Sequence, residues 1–352
     1  MKKRIAVGLS GGVDSSFAAY LLKQKGWDVV GFTLKFYPEE NRCCDLDSLD
    51  QAKRLCYKLD IPHYVLDVGE LFHKEVIDYF INSYLQGLTP NPCVYCNRLV
   101  KFGNFLEKLR SLGINRLATG HYARLVKKGK TYLLKKGKDN KKSQEYFLAL
   151  LNPSALKHLV FPLGDYTKSE VKRIAKSKKI IHKERKESQD VCFVREKGYP
   201  EFIEKNRSDC HKYSGRVKHV NGEILGRHKG IYHYTYGQRS GLGLAWKEPL
   251  YVTGIDNKDN SVIVGERNCL NKDTFTVGSL NWLYPFKQYR DITVKVRYHS
   301  PNVSCTLKIK DKTAKVKLAK KIDAITPGQL AAFYYKDLLL GGGIIEKAKS
   351  EK

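Results

Sequence analysis

The stretch IAVGLSGGVDSSFAAYLLKQK, residues 5–25, decides how the chain begins to fold. Residues 5–10 are an apolar run ending in glycine and serine, the pattern of a buried strand that enters a loop. Residues 14–25 place Phe17, Ala18, Leu21 and Leu22 on one helical face, with Asp14 and Ser15 suited to the first turn and Gly26 as the stop. Between strand and helix lies SGGVDSS (10–16). Its two glycines allow a sharp turn that presents backbone N–H groups. Ser10 and Ser15 add hydroxyls, and the helix N-terminus adds positive potential. Such a loop cradles a pyrophosphate. It has neither the lysine of a P-loop nor the G-x-G-x-x-G of a dinucleotide fold. Asp14 would repel phosphate unless a divalent cation, Mg2+ by its preference for phosphate oxygens, stood between them.

Outward from this unit the alternation continues. Residues 27–36, 63–68 and 116–120 read as strands, and 48–59, 72–87, about 98–111 and 168–180 as helices. This βαβα order with apolar strands predicts an α/β fold over residues 1–200, an open parallel sheet covered by helices. Residues 130–150 read as a short hairpin followed by a basic, polar connection. Past about residue 200 the composition turns to Gly, Tyr and His, and 201–270 are expected to form a small β-rich central domain. In 271–352, strands at 292–298, 304–310, 314–320, 322–326 and 330–335 follow one another without helices and predict a C-terminal antiparallel β-barrel.

Composition bounds the partners. A chain of 352 residues predicts two or three domains. Its 64 basic against 36 acidic side chains give a formal charge of +28, spread along the chain, which steers a polyanion such as RNA. Apolar content of 42% supports real cores and excludes wholesale disorder. No run reaches the ~18 apolar residues of a membrane span. The N-terminal apolar run is too short for a signal peptide, so a cytoplasmic location is expected. In that compartment the nine cysteines read as buried thiols, metal ligands or catalytic groups.

SGGVDS resembles the signature of the ATP pyrophosphatase superfamily, whose members adenylate a carbonyl or carboxylate and release pyrophosphate. Five further motifs narrow the resemblance: TPNPCVYCNRLVKF (89–102), TGHYA (119–123), SQEYFL (143–148), ESQDVCF (187–193) and YTYGQRSGLG (234–243). In this order, over nearly the whole chain, they resemble the tRNA-specific 2-thiouridylase family. The resemblance implies ATP held by Gly8, Leu9, Ser10, Gly11, Gly12, Val13, Asp14 and Ser15, with Leu34 lining the adenine pocket and Gly120 giving a backbone contact. It implies replacement of O2 of wobble uridine 34 by sulfur in the tRNAs for Lys, Glu and Gln. Cys96 then matches the attacking nucleophile and Cys192 the persulfide carrier. Asn91, Pro92 and Cys93 match the stretch that meets the target base, while Lys142, Ser143 and Gln144, and Arg297 with Tyr298, match tRNA contacts. A cysteine desulfurase or a sulfur-relay protein is the implied donor, and the chain is expected to act as a monomer without a membrane.

The chemistry has its own logic. A uridine carbonyl oxygen leaves poorly, and adenylation makes it part of AMP. Sulfur must arrive activated, as on a cysteine persulfide, and a second thiol then releases hydrosulfide or ends in a disulfide. Cys96, expected where a helix begins and beside Arg98 and Lys101, has the surroundings that activate a thiol. Cys93 departs from the family, where many members carry aspartate. Either it substitutes as an acid or base, or Cys93, Cys96 and Cys192 hold a [4Fe–4S] cluster with one open iron. Cys43 and Cys44 would be fourth ligands of a structural zinc, although adjacent cysteines are poor tetrahedral partners. His121 reads as a general base or a packed loop histidine, and Gln238 and Arg239 as braces of a domain interface or of the catalytic loop. Two other classes compete. A ligase such as argininosuccinate synthetase would need neither paired cysteines nor a basic barrel. A non-catalytic RNA-binding protein would not need an intact phosphate loop.

Overall fold

Ile5, Ala6 and Val7 expose no surface at all, because the strand that carries them is covered on both faces. The structure is a computed structural model that describes residues 3–36, 46–180, 191–194, 198–207, 214–285, 291–323 and 325–349. β1 (Arg4–Gly8) lies between β2 (Asp28–Lys35) and β4 (Leu117–Ala118). β3 (His63–Asp67) flanks β2, and β7 (Leu159–Val160) flanks β4. All four pairings are parallel, in the order β3-β2-β1-β4-β7, as the sequence pattern predicts. On one face, α1 (Val13–Gln24), α2 (Leu46–Leu59) and α7 (Lys168–Ser177) pack Phe17, Leu22, Leu55 and Val171 against Ile5 and Val7.

The other face is covered by two longer helical runs. One joins α3 (Gly69–Phe72), a π-helical turn (His73–Ile77) and α4 (Asp78–Leu85). The second joins α5 (Pro92–Tyr95), a π-helical stretch (Cys96–Asn104) and α6 (Phe105–Ser111). This second run starts at Pro92, six residues before the helix expected from about 98, with Asn91 at the cap position. Proline at the first position is pre-set for a helix start. Cys96 therefore sits one turn inside the helix, and Cys93 occupies the beginning that the sequence reading assigned to Cys96.

After α8 (Tyr199–Asn206) the chain builds a four-stranded sheet from β8 (Gly215–His219), β9 (Ile224–His228), β10 (Tyr251–Asp256) and β11 (Ser261–Gly265). Its order is β10-β11-β8-β9, around a core of Val217, Val252, Val262 and Val264. The last part is a closed barrel of β12 (Asn271–Trp282), β13 (Ile292–Lys295), β14 (Val303–Lys310), β15 (Thr313–Asp323), β16 (Leu330–Tyr335) and β17 (Leu338–Lys349). The order β12-β15-β14-β13-β16-β17 closes through a β12–β17 pairing. Two of these strands, β12 and β17, are missing from the sequence reading, and β15 is one strand where two were expected. Irregular register explains both: β12 shifts against β15 and against β17, which breaks the two-residue period.

The hairpin expected within 130–150 lies earlier, as β5 (Ala123–Lys128) and β6 (Thr131–Lys136). Through Leu338 opposite Lys135 it joins the edge of the barrel sheet, not the parallel sheet. The core beneath Cys96 is shared in the same way: Leu330, Ala332, Tyr334 and Leu339 of the barrel pack with Phe72, Val100 and Leu148. Tyr146 Oη donates to the Leu330 carbonyl at 2.7 Å, and Asn281 Nδ2 donates to the carbonyls of Ala149 and Leu151. Among the described residues no helix is long and apolar enough to cross a membrane.

Candidate active site

β1 and β4 are neighbours in the sheet, and the connections that leave them run to opposite sides. In open α/β sheets the crevice beyond the carboxyl ends of such a pair is where ligands bind. Residues 9–12 leave the end of β1 and 119–121 the end of β4. Gly11 adopts φ +69°, and Ser15 Oγ receives the Ser10 N–H at 3.1 Å while donating to the Gly12 carbonyl at 3.1 Å. The loop is thereby pinned to the first turn of α1. Gly120 presses on the same turn: a Cβ there would lie 2.8 Å from the Asp14 carbonyl carbon and from the Ser15 nitrogen. Leu9 and Leu34 are buried, Leu34 in the core shared with the thiols.

Asp14 has a counter-charge within the fold. Lys168, at the start of α7, places Nζ 2.8 and 2.7 Å from its two carboxylate oxygens. Tyr122 Oη donates to the same carboxylate at 2.7 Å. The sequence reading supplied Mg2+ as the only charge between Asp14 and phosphate; the fold adds a lysine 154 positions away. Tyr122 is itself held by Gln144, whose Oε1 accepts the Tyr122 N–H at 3.0 Å and whose N–H donates to the Tyr122 carbonyl at 2.8 Å. Of the expected tRNA-contacting trio, Lys142 is exposed, Gln144 is half-buried and Ser143 is buried. Ser143 Oγ accepts the Gly137 N–H and donates to Glu145, which also accepts from Tyr334 of the barrel.

The three cysteines have different surroundings. Cys93 is exposed, Cys96 is buried in the large core, and Cys192 is half-buried and packed against that same core. Phe193 beside it meets the rings of Phe72, Phe80 and Phe202, which docks residues 191–194. Cys56 and Cys305 are structural, their thiols pushed up to about 12 by burial. Among the described residues no three His, Cys, Asp or Glu side chains gather as a metal-holding group. The three-cysteine cluster set is therefore not assembled in this geometry. Cys43 and Cys44 lie outside the described residues.

Three distant segments converge on the thiol loop. Asn91 is half-buried and Pro92 buried. Gln329, at the start of β16, donates through Nε2 to the carbonyls of Thr89 at 2.9 Å and Pro90 at 3.2 Å. Nothing in the sequence reading pointed to it, and a glutamine after Pro-Gly has no local signal. Asn97 Nδ2 donates to the Phe147 carbonyl, and Phe147 packs on Tyr298 with ring centroids 4.6 Å apart. Arg297, beside Tyr298, donates from Nη2 to Thr326 at 2.6 Å. Through Phe147, Tyr298 is thus linked to Asn97 of the thiol helix, and Gln329 to the loop before that helix.

Two other readings sharpen. His121 Nδ1 is 2.7 Å from Thr119 Oγ1, and its ring lies against Phe102 and Phe161. Burial, with the nearby Lys101, pushes the imidazole down to about 3, so it stays neutral and suits the packed loop histidine better than a general base. Gln238 braces its own turn, accepting from the Thr235 N–H and donating to the Ser240 carbonyl, while Arg239 is exposed.

A parallel sheet with a phosphate loop at its switch point, followed by a small β module and a closed barrel, is a composite architecture that family models match piece by piece. The tRNA methyl transferase HUP domain matches residues 3–196, the tRNA methyl transferase PRC-barrel domain residues 201–266, and the aminomethyltransferase beta-barrel domain residues 272–345. The tRNA-specific 2-thiouridylase MnmA 2 of Thermoanaerobacter sp. (strain X514) is 42% identical over 99% of this chain and 99% of its own length. The tRNA-specific 2-thiouridylase MnmA of Aquifex aeolicus (strain VF5) is 43% identical, covering 98% of this chain and 99% of its own. The chain belongs to the tRNA-specific 2-thiouridylase family, a family of tRNA sulfurtransferases. Among solved structures, an NMN synthetase from Francisella tularensis aligns at 16% identity and a TM-score of 0.32, over 52% of this chain and 66% of its own, too distant to bear on function.

Proposed function

We propose that this chain thiolates O2 of the wobble uridine in the tRNAs for Lys, Glu and Gln, using ATP with Mg2+ and a persulfide on Cys192. The uridine O2 attacks the α-phosphorus of ATP, pyrophosphate leaves, and the N3 proton is lost. The terminal sulfur on Cys192 then attacks C2, and the bond from C2 to the AMP oxygen breaks. The Cys96 thiolate attacks Cys192 Sγ, the sulfur–sulfur bond to the substrate breaks, and 2-thiouridine remains. This leaves a Cys96–Cys192 disulfide, which an external dithiol reduces. The persulfide comes from a cysteine desulfurase or a sulfur-relay protein, and the enzyme works as a cytoplasmic monomer.

The observation that carries this reading is the common core. Leu34, from the nucleotide side, Cys96 and Cys192 all pack into it, with Tyr298 at its edge. It also favours thiolation over the methyl transfer that the family descriptions mention, because methyl transfer has no use for two thiols packed on one core. The exposed Cys93 lies in the stretch assigned to the base, where a flipped uridine would arrive from a single-stranded loop. The iron–sulfur alternative draws no such support, since its three ligands are not gathered.

Cys96→Ser and Cys192→Ser are each expected to abolish 2-thiouridine formation while changing tRNA affinity less than about twofold, within the ±0.5 kcal/mol of a local substitution. Mass spectrometry of the product nucleosides beside filter binding reads both. Full thiolation by either variant would falsify the two-thiol route. Iron and acid-labile sulfide in stoichiometric amounts after anaerobic purification would instead restore the cluster.

A further inference from the structure

The two-thiol route ends in a disulfide whose two sulfurs the fold largely covers. Cys96 is 7% exposed, Cys192 is half-buried, and both pack on the large core. Phe193, next to Cys192, meets Phe72 and Phe80 edge to face, with ring centroids 5.7 and 5.2 Å apart. A protein dithiol reduces only a disulfide whose sulfur it can approach. Cys93, in contrast, is exposed. It stands in the first turn of the helical run that Pro92 opens, one turn before Cys96. The Cys96 N–H donates to the carbonyls of both Pro92 and Cys93. The second of these bonds spans three residues, which tightens the turn and brings side chains three apart into line. Helical backbone puts the Cα atoms of such a pair about 5 Å apart. A disulfide needs roughly 4.4–6.8 Å. A C-x-x-C pair at a helix start is also the arrangement that thiol–disulfide exchange proteins use.

We propose that Cys93 is the resolving thiol of the catalytic cycle. The inference rests on the persulfide reading above and begins where that reaction stops. The Cys93 thiolate attacks Cys96 Sγ. A Cys93–Cys96 bond forms, the Cys96–Cys192 bond breaks, and Cys192 leaves as a thiolate that regains the proton Cys93 gave up. No electrons leave the protein in this step; the disulfide moves from the core to the surface. An external dithiol then attacks the exposed Cys93 Sγ, Cys96 departs as a thiolate, and the second thiol of the reductant closes its own disulfide. Cys192 is meanwhile open to the next persulfide. The mouth through which the target base arrives thus also serves the reductant once the product has gone.

The test follows the disulfides of the full-length wild-type protein through one turnover. Enzyme loaded by a cysteine desulfurase is mixed with ATP, Mg2+ and the tRNA for Lys, with no reductant. Samples are quenched with N-ethylmaleimide over time, cut with trypsin and mapped by mass spectrometry. Cys93 and Cys96 fall on one tryptic peptide that ends at Arg98, and Cys192 on another, residues 187–195. A Cys96–Cys192 cross-link is expected to appear with the 2-thiouridine and then decay. The peptide holding Cys93 and Cys96, unlabelled and lighter by two hydrogens, should replace it in at least about tenfold excess, while Cys192 becomes labelled. A Cys96–Cys192 link that persists beside a labelled Cys93 overturns the proposal and leaves the two-thiol route standing. A Cys93–Cys96 disulfide that forms equally well without ATP overturns it too, as oxidation unconnected with turnover. Thiolated tRNA with no disulfide among the three cysteines overturns the two-thiol route as well, which separates the two failures.

Discussion

Gly120 shows how much one missing methyl group can matter. The turn after β4 lies so close to α1 that any Cβ at 120 must displace the backbone of Asp14 and Ser15, the residues that pin the phosphate loop. Gly120→Ala is expected to cost about 1–3 kcal/mol, as overpacking against backbone does. Because the displaced atoms belong to the loop, ATP affinity should fall about tenfold or more, within that energy. Calorimetry reads the affinity and thermal melting the stability; a variant that melts lower yet binds ATP like wild type sinks the argument. At this scale the sequence was readable wherever a residue's role is local. Gly11 makes the sharp turn that its place implies, whereas the Ser10 N–H and the Ser15 hydroxyl, expected to face phosphate, are spent within the loop. Roles made by distant neighbours were not readable. Nothing near Asp14 announces Lys168, and nothing near Thr89 announces Gln329.

Among the elements, α7 carries a pH-sensitive start. Hydrogen bonds from the Thr167 backbone and from Lys138 and Thr167 side chains hold the Glu170 carboxyl down to about 2. A carboxyl depressed in the folded state contributes stability in full above its ordinary value of about 4.5, and loses it as pH falls toward about 2. Amide protection in the first turn of α7 should therefore decline from pH 5 to 3 in the wild type. It should decline less in Glu170→Gln, which keeps an acceptor and does not titrate. Equal pH profiles for the two proteins, read by hydrogen-exchange mass spectrometry, would refute the cap's role. The helices and parallel strands of the first domain were legible because periods of 3.6 and of continuous burial are written along them. The π-helical stretch Cys96–Asn104 was not legible, because one added residue per turn leaves no distinct pattern of residue types. The start at Pro92, four residues ahead, is what takes Cys96 from the helix start into the core.

For the whole molecule, the barrel is not an appendage. Leu330, Ala332, Tyr334 and Leu339 complete the core that also holds Cys96, and the hairpin of β5 and β6 extends the barrel sheet. A fragment of residues 1–270 would expose that apolar surface, so it is expected to be aggregation-prone and to melt well below the full chain, not to behave as an autonomous catalytic unit. A soluble, cooperative fragment that binds ATP with wild-type affinity would show the opposite. The sequence by itself determined the class of the first domain, the glycine loop between its first strand and helix, the basic character and the family, because these rest on local order and composition. Only the tertiary structure decided which distant groups meet: Lys168 on Asp14, Gln329 on the thiol loop, Cys192 on the core of Cys96. Such pairings are settled by the packing of a closed core, whose members are chosen by shape and burial in three dimensions, and a linear order of residues carries no record of that choice.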